Sequence, residues 1–278
     1  MIIYPALFIF VYCISMLAAA SVSDIKTREV PDFISYALII GGFLLTLAYA
    51  ITQNSIGSII FLPASVALLF GFSYLMYNLG QWAGGDVKLM LGLSLMFTSA
   101  SLFSNLSFVA LFLNILVFGG LYGLLGTLVF GLLKFRSLAK LLRLYDYALI
   151  PVGAAVIMIF LYLLPQPVNY LAAFAAFLLV AMRYIYIIDQ NLTYVEVRTD
   201  KLTEGDWIAG DVRDNDGKLV VSKRNIGLLS EDIHKIKEAN IKKVLVKIGL
   251  PFVPGLLCGA LVTILFGNPL LSIIQAVF

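Results

Sequence analysis

The chain has 278 residues, of which 61% are hydrophobic and 13% are charged, and its formal net charge is +3. A soluble domain of this length needs far more polar surface, so the composition excludes a soluble globular protein and indicates an integral membrane protein. The two cysteines, Cys13 and Cys258, lie alone inside apolar runs, and they suggest neither a disulfide framework nor a zinc site.

Eight apolar runs come near the length of about 20 residues that a helix needs to cross a bilayer. In chain order they are 2–22, 33–51, 55–80, 86–99, 105–133, 147–164, 167–188 and 251–277. The fourth run is short, and residues around Ser101–Phe103 could complete it. The first has no basic segment before it, so we expect a retained span rather than a signal peptide. The fold class predicted is an all-α polytopic membrane protein with about eight transmembrane helices.

The cations show a regular pattern along the chain. All 19 Lys and Arg residues lie in or at the edge of alternate gaps between the runs, beginning with Lys26 and Arg28 in the first gap and Lys88 at the third. Because Lys and Arg collect in cytoplasmic loops, this pattern predicts that both termini are outside and that the odd-numbered gaps face the cytoplasm. The expected location is therefore the cell (cytoplasmic) membrane.

A polar insert, residues 191–248, separates a membrane domain (1–190) from a final transmembrane helix (249–278). Within it, "YVEVRT", "DWIAGDV", "KLVVS" and "KVLVK" are predicted strands, with a hairpin turn at Asp216-Gly217. Ser230 is predicted to cap a helix over "EDIHKIKEA", on whose surface the only histidine, His234, is expected. The insert is therefore expected to be a small cytoplasmic α+β module that depends on the membrane domain for stability.

Two acids at the ends of apolar runs are the candidate catalytic residues. Asp24 ends the first run in "AAASVSDIKTREVPD", and Asp86 opens the fourth in "AGGDVKLM". A carboxylate at the centre of a membrane helix costs about 2.5–3.5 kcal/mol on insertion scales, so an acid near a span needs a reason. The predicted topology places both on the cytoplasmic side, where two helices could bring them face to face. Alternatively, Asp86 is an ordinary helix N-terminal residue and Asp24 a juxtamembrane charge in a solvated loop.

A pair of carboxyls is suited to peptide hydrolysis. An ionised carboxyl takes a proton from water, and a protonated one donates to the scissile carbonyl oxygen, so neither a metal nor a cofactor is needed. Gly84 and Gly85 would let the backbone adopt conformations closed to other residues and let a substrate strand approach closely. Lys88, two residues after Asp86, would favour the ionised form of that acid.

At these residues the sequence resembles the prepilin peptidase family of GxGD-type membrane aspartic proteases, and it is most similar to the archaeal preflagellin and prepilin peptidase branch. The matching motifs are "SDIKTREVPD" around Asp24 and "GGDVKLM" around Asp86, with a softer similarity in "KIGLPFVPGLLCGALV". The first glycine of the GxGD motif is Ala83 here. The eight runs exceed the six spans usual for the family's catalytic core, so 147–188 is expected to be an added pair.

The resemblance implies an endopeptidase that removes the short basic leader from archaellin (preflagellin) or type IV pilin-like precursors at the cytoplasmic membrane face. Asp24 and Asp86 match the family's catalytic aspartates. Glu29 and Asp32 could attract the basic leader, although acids of a solvated loop are a simpler explanation. The expected partners are these precursors and the lipid bilayer, with no nucleic acid. The bacterial members' cysteine-rich domain is absent, so methyltransferase activity is not expected.

The sequence allows three other interpretations. A transporter or channel would use membrane acids as ion sites and predicts ionisable residues near the middle of spans, where the sequence has none. A non-enzymatic assembly factor would bind a partner through the insert. Tyr145-Asp146 is similar to a motif of presenilin-like proteases, but there it precedes the glycine–aspartate motif, whereas here it follows. We assign Asp146 instead to the segment "KFRSLAKLLRLYDY", predicted as an amphipathic helix on the membrane surface rather than a substrate-docking site.

Overall fold

The computed structural model describes residues 3–54, 56–98, 107–166, 168–214, 216–223 and 227–269, and it is mostly helical. The helices before the insert are α1 (Ile3–Thr27), α2 (Asp32–Thr52), α3 (Ile56–Ile60), α4 (Leu62–Ser65), α5 (Gly71–Asn78), α6 (Gly84–Met96), α7 (Ser107–Asn114), α8 (Gly120–Leu133), α9 (Phe135–Leu141), α10 (Leu144–Leu163) and α11 (Val168–Asn191). Short π-helical turns, Val66–Phe70 and Ile115–Gly119, join α4 to α5 and α7 to α8. After them come α12 (Ser230–Glu238) within the insert and α13 (Val253–Phe266) behind it.

Helices occupy all eight of the predicted apolar runs. Among the described residues, five segments are long and apolar enough to cross a membrane: Leu7–Thr27, Asp32–Thr52, Ser107–Leu133, Leu144–Leu163 and Val168–Asn191. Leu62–Asn78 and Val253–Phe266 are shorter apolar helices, and α6 has 13 residues. The predicted polytopic helical membrane fold with a small α+β insert is therefore confirmed. Residues 101–103, proposed to complete the fourth run, and the end of the last run lie outside the described residues.

Helix α6 lies within the helical bundle, and after its first turn most of its residues are buried and apolar. It packs against α2 at close range: a Cβ added at Gly92 would stand 2.7 Å from Leu38 Cγ, and one added at Gly42 would stand 3.2 Å from the Gly92 carbonyl oxygen. Small residues allow this approach, which membrane helices use for association. The Thr46 hydroxyl donates to the Leu95 carbonyl at 2.8 Å, so a buried polar contact also links the two helices.

The last described helix, α13, belongs to the same core as the first. Its buried residues pack with α1 and with the π-helical turn Ile115–Gly119. The contact is between backbones, since a Cβ on Gly259 would stand 2.8 Å from Ile115 Cα and one on Gly255 3.2 Å from Gly119 Cα. The close packing brings the start of α13 to the end of α1.

The insert has its own small core. Strands β1 (Tyr194–Arg198), β5 (Lys243–Lys247) and β2 (Trp207–Ile208) form an antiparallel sheet in that order, while β3 (Val212–Arg213) and β4 (Leu219–Val221) form a hairpin. The residues buried between sheet, hairpin and α12 are Leu202, Ile208, Val212, Val221, Leu228, Ile236, Val244 and Val246. Strands β1, β4 and β5 fall within predicted segments, whereas the segment "DWIAGDV" contains β2 and only the first residue of β3. The predicted turn at Asp216-Gly217 lies between β3 and β4.

The predicted helix cap at Ser230 is wrong. Ser230 is the first residue of α12, and its hydroxyl donates to Glu204 at 2.9 Å. The Asp232 carboxylate instead accepts the backbone N–H of Leu229 at 3.1 Å, which satisfies a donor at the helix start from within the first turn. His234 is exposed on this helix.

The assignment of Asp146 to a membrane-surface helix is also wrong. That helix, α9, ends at Leu141, and Asp146 lies in the first turn of α10. Its carboxylate is fully buried, accepts the Arg143 N–H at 2.8 Å and forms an ion pair of 2.8 Å with Arg183 of α11. The pair joins two neighbouring helices, and we assign Asp146 a structural role.

Candidate active site

Asp24 is near the end of α1 and is 7% exposed. Its Oδ2 accepts the Val253 backbone N–H at 2.9 Å, and the Phe252 N–H also bonds to this carboxylate. These are the first donors of α13, which have no partner within their own helix, and a negative charge is favoured at such a helix start. Asp24 is therefore not a charge in a solvated loop. Its carboxylate accepts hydrogen bonds from the start of a helix that begins 229 residues later in the sequence.

Asp86 is the third residue of α6 and is 6% exposed. Its Oδ2 accepts the Ala83 backbone N–H at 3.0 Å, so the side chain satisfies a donor at the start of its own helix. Among the described residues, Oδ1 of Asp86 accepts no hydrogen bond. The charge of Asp24 acts on Asp86, which means that the two carboxyls are electrostatic neighbours.

Both acids lie at one end of the bundle, where α1 ends and where α6 and α13 begin. The insert is attached at the same end: the Arg28 guanidinium donates to the Gly249 carbonyl at 2.7 Å, and Lys247 pairs with Asp189 at 2.8 Å. Two nearly buried carboxyls that share this location can support acid–base chemistry, because like charges in a dry site cannot both ionise easily. In the described part of the chain, no group of three or more His, Cys, Asp and Glu side chains could hold a metal ion.

The two glycines differ in a way that the sequence does not reveal. Neither Gly84 nor Gly85 has a positive φ, so the expectation that they adopt conformations closed to other residues is wrong. A Cβ on Gly85 would stand 3.1 Å from Val30 Cβ, whereas one on Gly84 would meet nothing nearer than Tyr77 at 4.0 Å. Gly85 therefore allows the loop between α1 and α2 to pack on the start of α6, and the surface at Gly84 is open.

Lys88 does not act on Asp86 as expected. Its ammonium pairs with Asp32 at 2.6 Å and lies 5.4 Å from the centre of the Tyr36 ring. The reason is helical geometry: residues two apart point to different sides of a helix, so Lys88 faces α2 instead. The same ion pair balances the charge of Asp32, whose side chain is exposed.

Glu29 has an acidic neighbour in the insert. Burial raises the pKa of the Asp206 carboxyl, hydrogen bonds from Thr203 lower it, and the negative charge of Glu29 raises it. Glu29 therefore lies within electrostatic range of Asp206. The loop after α1 and the insert thus present two acids to the same region, of which the sequence motifs indicated only Glu29.

Three aromatic residues lie beside the aspartates, and two of them, Trp82 and Tyr122, fall outside the matching motifs. The Trp82 ring packs at a tilt against the ring of Phe252, with their centroids 4.9 Å apart, and the backbone of Phe252 bonds to Asp24. The Tyr122 ring would lie 3.3 Å from a Cβ on Gly255, in the first turn of α13, and the charge of Asp24 acts on its phenol. Tyr122 lies within an apolar run, where an aromatic residue gives no sequence signal that separates a site residue from a core residue.

The fold and this site define a polytopic membrane protein with two adjoining, nearly buried carboxyls at one end of its bundle. Residues 11–124 match the type IV leader peptidase family, and this range contains both aspartates. Over 70 residues the chain is 36% identical to prepilin peptidase EppA of Methanothermobacter thermautotrophicus; the match covers 25% of this chain and only 18% of that protein. No solved structure gives a significant match. The predicted resemblance to the type IV prepilin peptidase family is confirmed.

Proposed function

We propose that the protein is a membrane aspartic endopeptidase that removes the short basic leader from archaellin or type IV pilin-like precursors. The observation that carries this proposal is the pair Asp24 and Asp86, two nearly buried, electrostatically coupled carboxyls within the residues that match the leader peptidase family. The local similarity to prepilin peptidase EppA, 36% identity over 70 residues, supports a pilin-like precursor as the substrate class.

In the proposed reaction, Asp24 and Asp86 hold one water molecule between them beside the scissile peptide bond. The ionised carboxyl removes a proton as the water oxygen attacks the carbonyl carbon, and the protonated carboxyl donates its proton to the carbonyl oxygen. When the tetrahedral intermediate collapses, the carboxyl that took the proton from water gives it to the leaving amine, and a hydroxyl of the intermediate returns a proton to the other carboxyl as the product carboxyl group forms. The open surface at Gly84 is a suitable place for the extended substrate backbone, because no side chain occupies it.

The basic leader is proposed to bind at the acids of the first loop and the insert. None of the ion pairs in the described part of the chain involves Glu29 or Asp206, whereas the charge of Asp32 is already balanced by Lys88. We therefore propose Glu29, supported by Asp206, as the group that attracts the leader. Glu29→Gln should raise KM for a basic leader and leave kcat unchanged, and it should not affect a precursor whose leader lacks cations.

We also propose that this end of the bundle faces the cytoplasm. Both aspartates are at the end that carries the insert, and the insert holds most of the chain's Lys and Arg residues, as cytoplasmic segments do. The proposed units are a membrane catalytic domain (1–190), the insert (191–248) and a final helix (249–278) that completes the core. Protease added to inverted vesicles should degrade the insert, and protease added to right-side-out vesicles should not.

The activity is tested with the protein in lipid vesicles and a precursor that has a basic leader followed by an apolar helix, whose mass is followed over time. Asp24→Asn and Asp86→Asn should each abolish leader loss. The asparagine oxygen can still accept the backbone N–H that each carboxylate now accepts, so both variants should fold. Asp146→Asn is the matched control, because that acid is buried and ion-paired away from the pair.

Archaellin and pilin precursors are compared in the same assay. Cleavage that persists in either the Asp24 or the Asp86 variant would remove that residue from the mechanism. Absence of cleavage of every precursor by the wild-type protein would contradict the proposed function itself.

A further inference from the structure

We propose that Arg28 is a positioning residue for Asp24, because its side chain holds the start of α13 close to the end of α1. The inference rests on the proposed function, because it assigns a role in the action of Asp24. Through Gly249, the contact of Arg28 adds to the site a segment that lies beyond residue 124, where the match to the leader peptidase family ends.

The hydrogen-bond donors that hold the Asp24 carboxylate belong to a distant part of the chain. The donors are the backbone N–H groups of Phe252 and Val253, and these residues follow the whole insert. The position of the Asp24 carboxylate therefore depends on whatever holds the start of α13 in place. The helix itself is fixed by the contacts of Gly255 with Gly119 and of Gly259 with Ile115, but both contacts lie after the two residues whose N–H groups bind Asp24.

The segment that leads into α13, residues 248–252, forms neither helix nor strand. Arg28 reaches this segment from the end of α1, where its Nη1 donates to the Gly249 carbonyl at 2.7 Å. The positive charge of the same guanidinium acts on Asp24. One side chain thus contacts the linker before α13 and also lies near the carboxylate that α13 holds.

The backbone of Arg28 supports a role for its side chain. Its φ is +59°, a left-handed conformation at the end of a helix, where glycine is the usual residue because it has no Cβ to clash. A non-glycine residue there costs free energy, and such costs concentrate at functional sites. Lys26, two residues earlier, is an exposed cation with ordinary backbone geometry, and it provides a matched comparison.

The experiment measures kcat and KM for precursor cleavage, together with thermal unfolding, in Arg28→Gly, Arg28→Lys and Lys26→Gln. Arg28→Gly removes the side chain and also relieves the backbone, so the protein should remain as stable as the wild type. We expect its kcat to fall by about ten-fold or more with KM unchanged, since small displacements of catalytic groups have effects of this size. Arg28→Lys keeps a cation that can reach Gly249, so it should recover most of the loss. Lys26→Gln should match the wild type.

Three results would overturn the inference. The first is an Arg28→Gly variant with wild-type kcat, and the second is an Arg28→Gly variant whose KM alone rises, which would make Arg28 a substrate contact. A loss of kcat that only follows a loss of stability would also count against it, because a purely structural role gives that result. Failure of the proposed function is recognised separately, since wild type and Lys26→Gln would then both be inactive.

Discussion

The packing of α13 against the π-helical turn can be tested by adding one methyl group at Gly259. In Gly259→Ala, the new Cβ would stand 2.6 Å from Ile115 Cγ1, 2.8 Å from its Cα and 2.9 Å from its nitrogen. Ordinary contacts of a Cβ begin at 3.4 Å. Because two of the three atoms belong to the backbone, a rotamer change cannot relieve the overlap, and α13 has to move away from the turn.

Overpacking of this kind costs about 1–3 kcal/mol, and a backbone contact favours the upper end of the range. Alanine is preferred over glycine within a helix by about 1 kcal/mol, which offsets part of that cost. We therefore expect Gly259→Ala to destabilise the protein by about 2 kcal/mol. Gly123→Ala in α8 is the matched control, since a Cβ there meets nothing within 4 Å, and it should be neutral or stabilising by up to about 1 kcal/mol.

The assay is reversible unfolding of the purified protein in mixed micelles by a denaturing detergent, with wild type and both variants measured together. Cleavage is followed under conditions where all three are folded. Because α13 also seats Asp24, Gly259→Ala should cleave more slowly than Gly123→Ala even when fully folded. Equal stability of the two alanine variants would refute the close contact between α13 and the π-helical turn.

Three further predictions concern other contacts. Asp146→Asn should lower the stability of the protein towards denaturing detergent, because it removes an ion pair between α10 and α11, and wild-type stability would contradict the structural role. Thr46→Val should cost about 0.6 kcal/mol in the same assay, as the hydroxyl bond to Leu95 is lost; a much larger loss would mean that valine disturbs the packing. Burial raises the pKa of the Asp206 carboxyl, so the folded protein binds a proton at Asp206 more tightly than the unfolded chain does. The contribution of Asp206 to the free energy of unfolding should therefore fall as the pH rises through the pKa of the folded state. Glu29→Gln should lower this pKa in a carboxyl NMR titration, and an unchanged value would place the two acids apart.

The helices were predictable because the signal for a membrane helix is local. Apolar runs of sufficient length identify the spans whatever their neighbours are, and alternation and turn residues similarly identified β1 and β5 of the insert. The unusual positions of Asp24 and Asp86 were also visible in the sequence, since each acid stands where an apolar run ends or begins. That Lys88 points away from Asp86 could have been predicted as well, from the spacing of two residues on a helix.

The partners of these residues were not predictable from the sequence. Nothing local connects Asp24 to Phe252 and Val253, or Glu29 to Asp206, because each pair joins segments separated by well over a hundred residues. The close packing of Gly92 and Gly259 is equally hidden, since a glycine in an apolar run looks the same whether a neighbouring helix touches it or not.

The sequence by itself determined which segments enter the membrane, where the acids stand along them and which family these features resemble, because hydrophobicity and motif spacing belong to short stretches of chain. Only the tertiary structure decided that the start of α13 binds the Asp24 carboxylate and that Lys88 neutralises Asp32. Such contacts depend on which helix ends meet, and that outcome is set by the packing of the whole bundle.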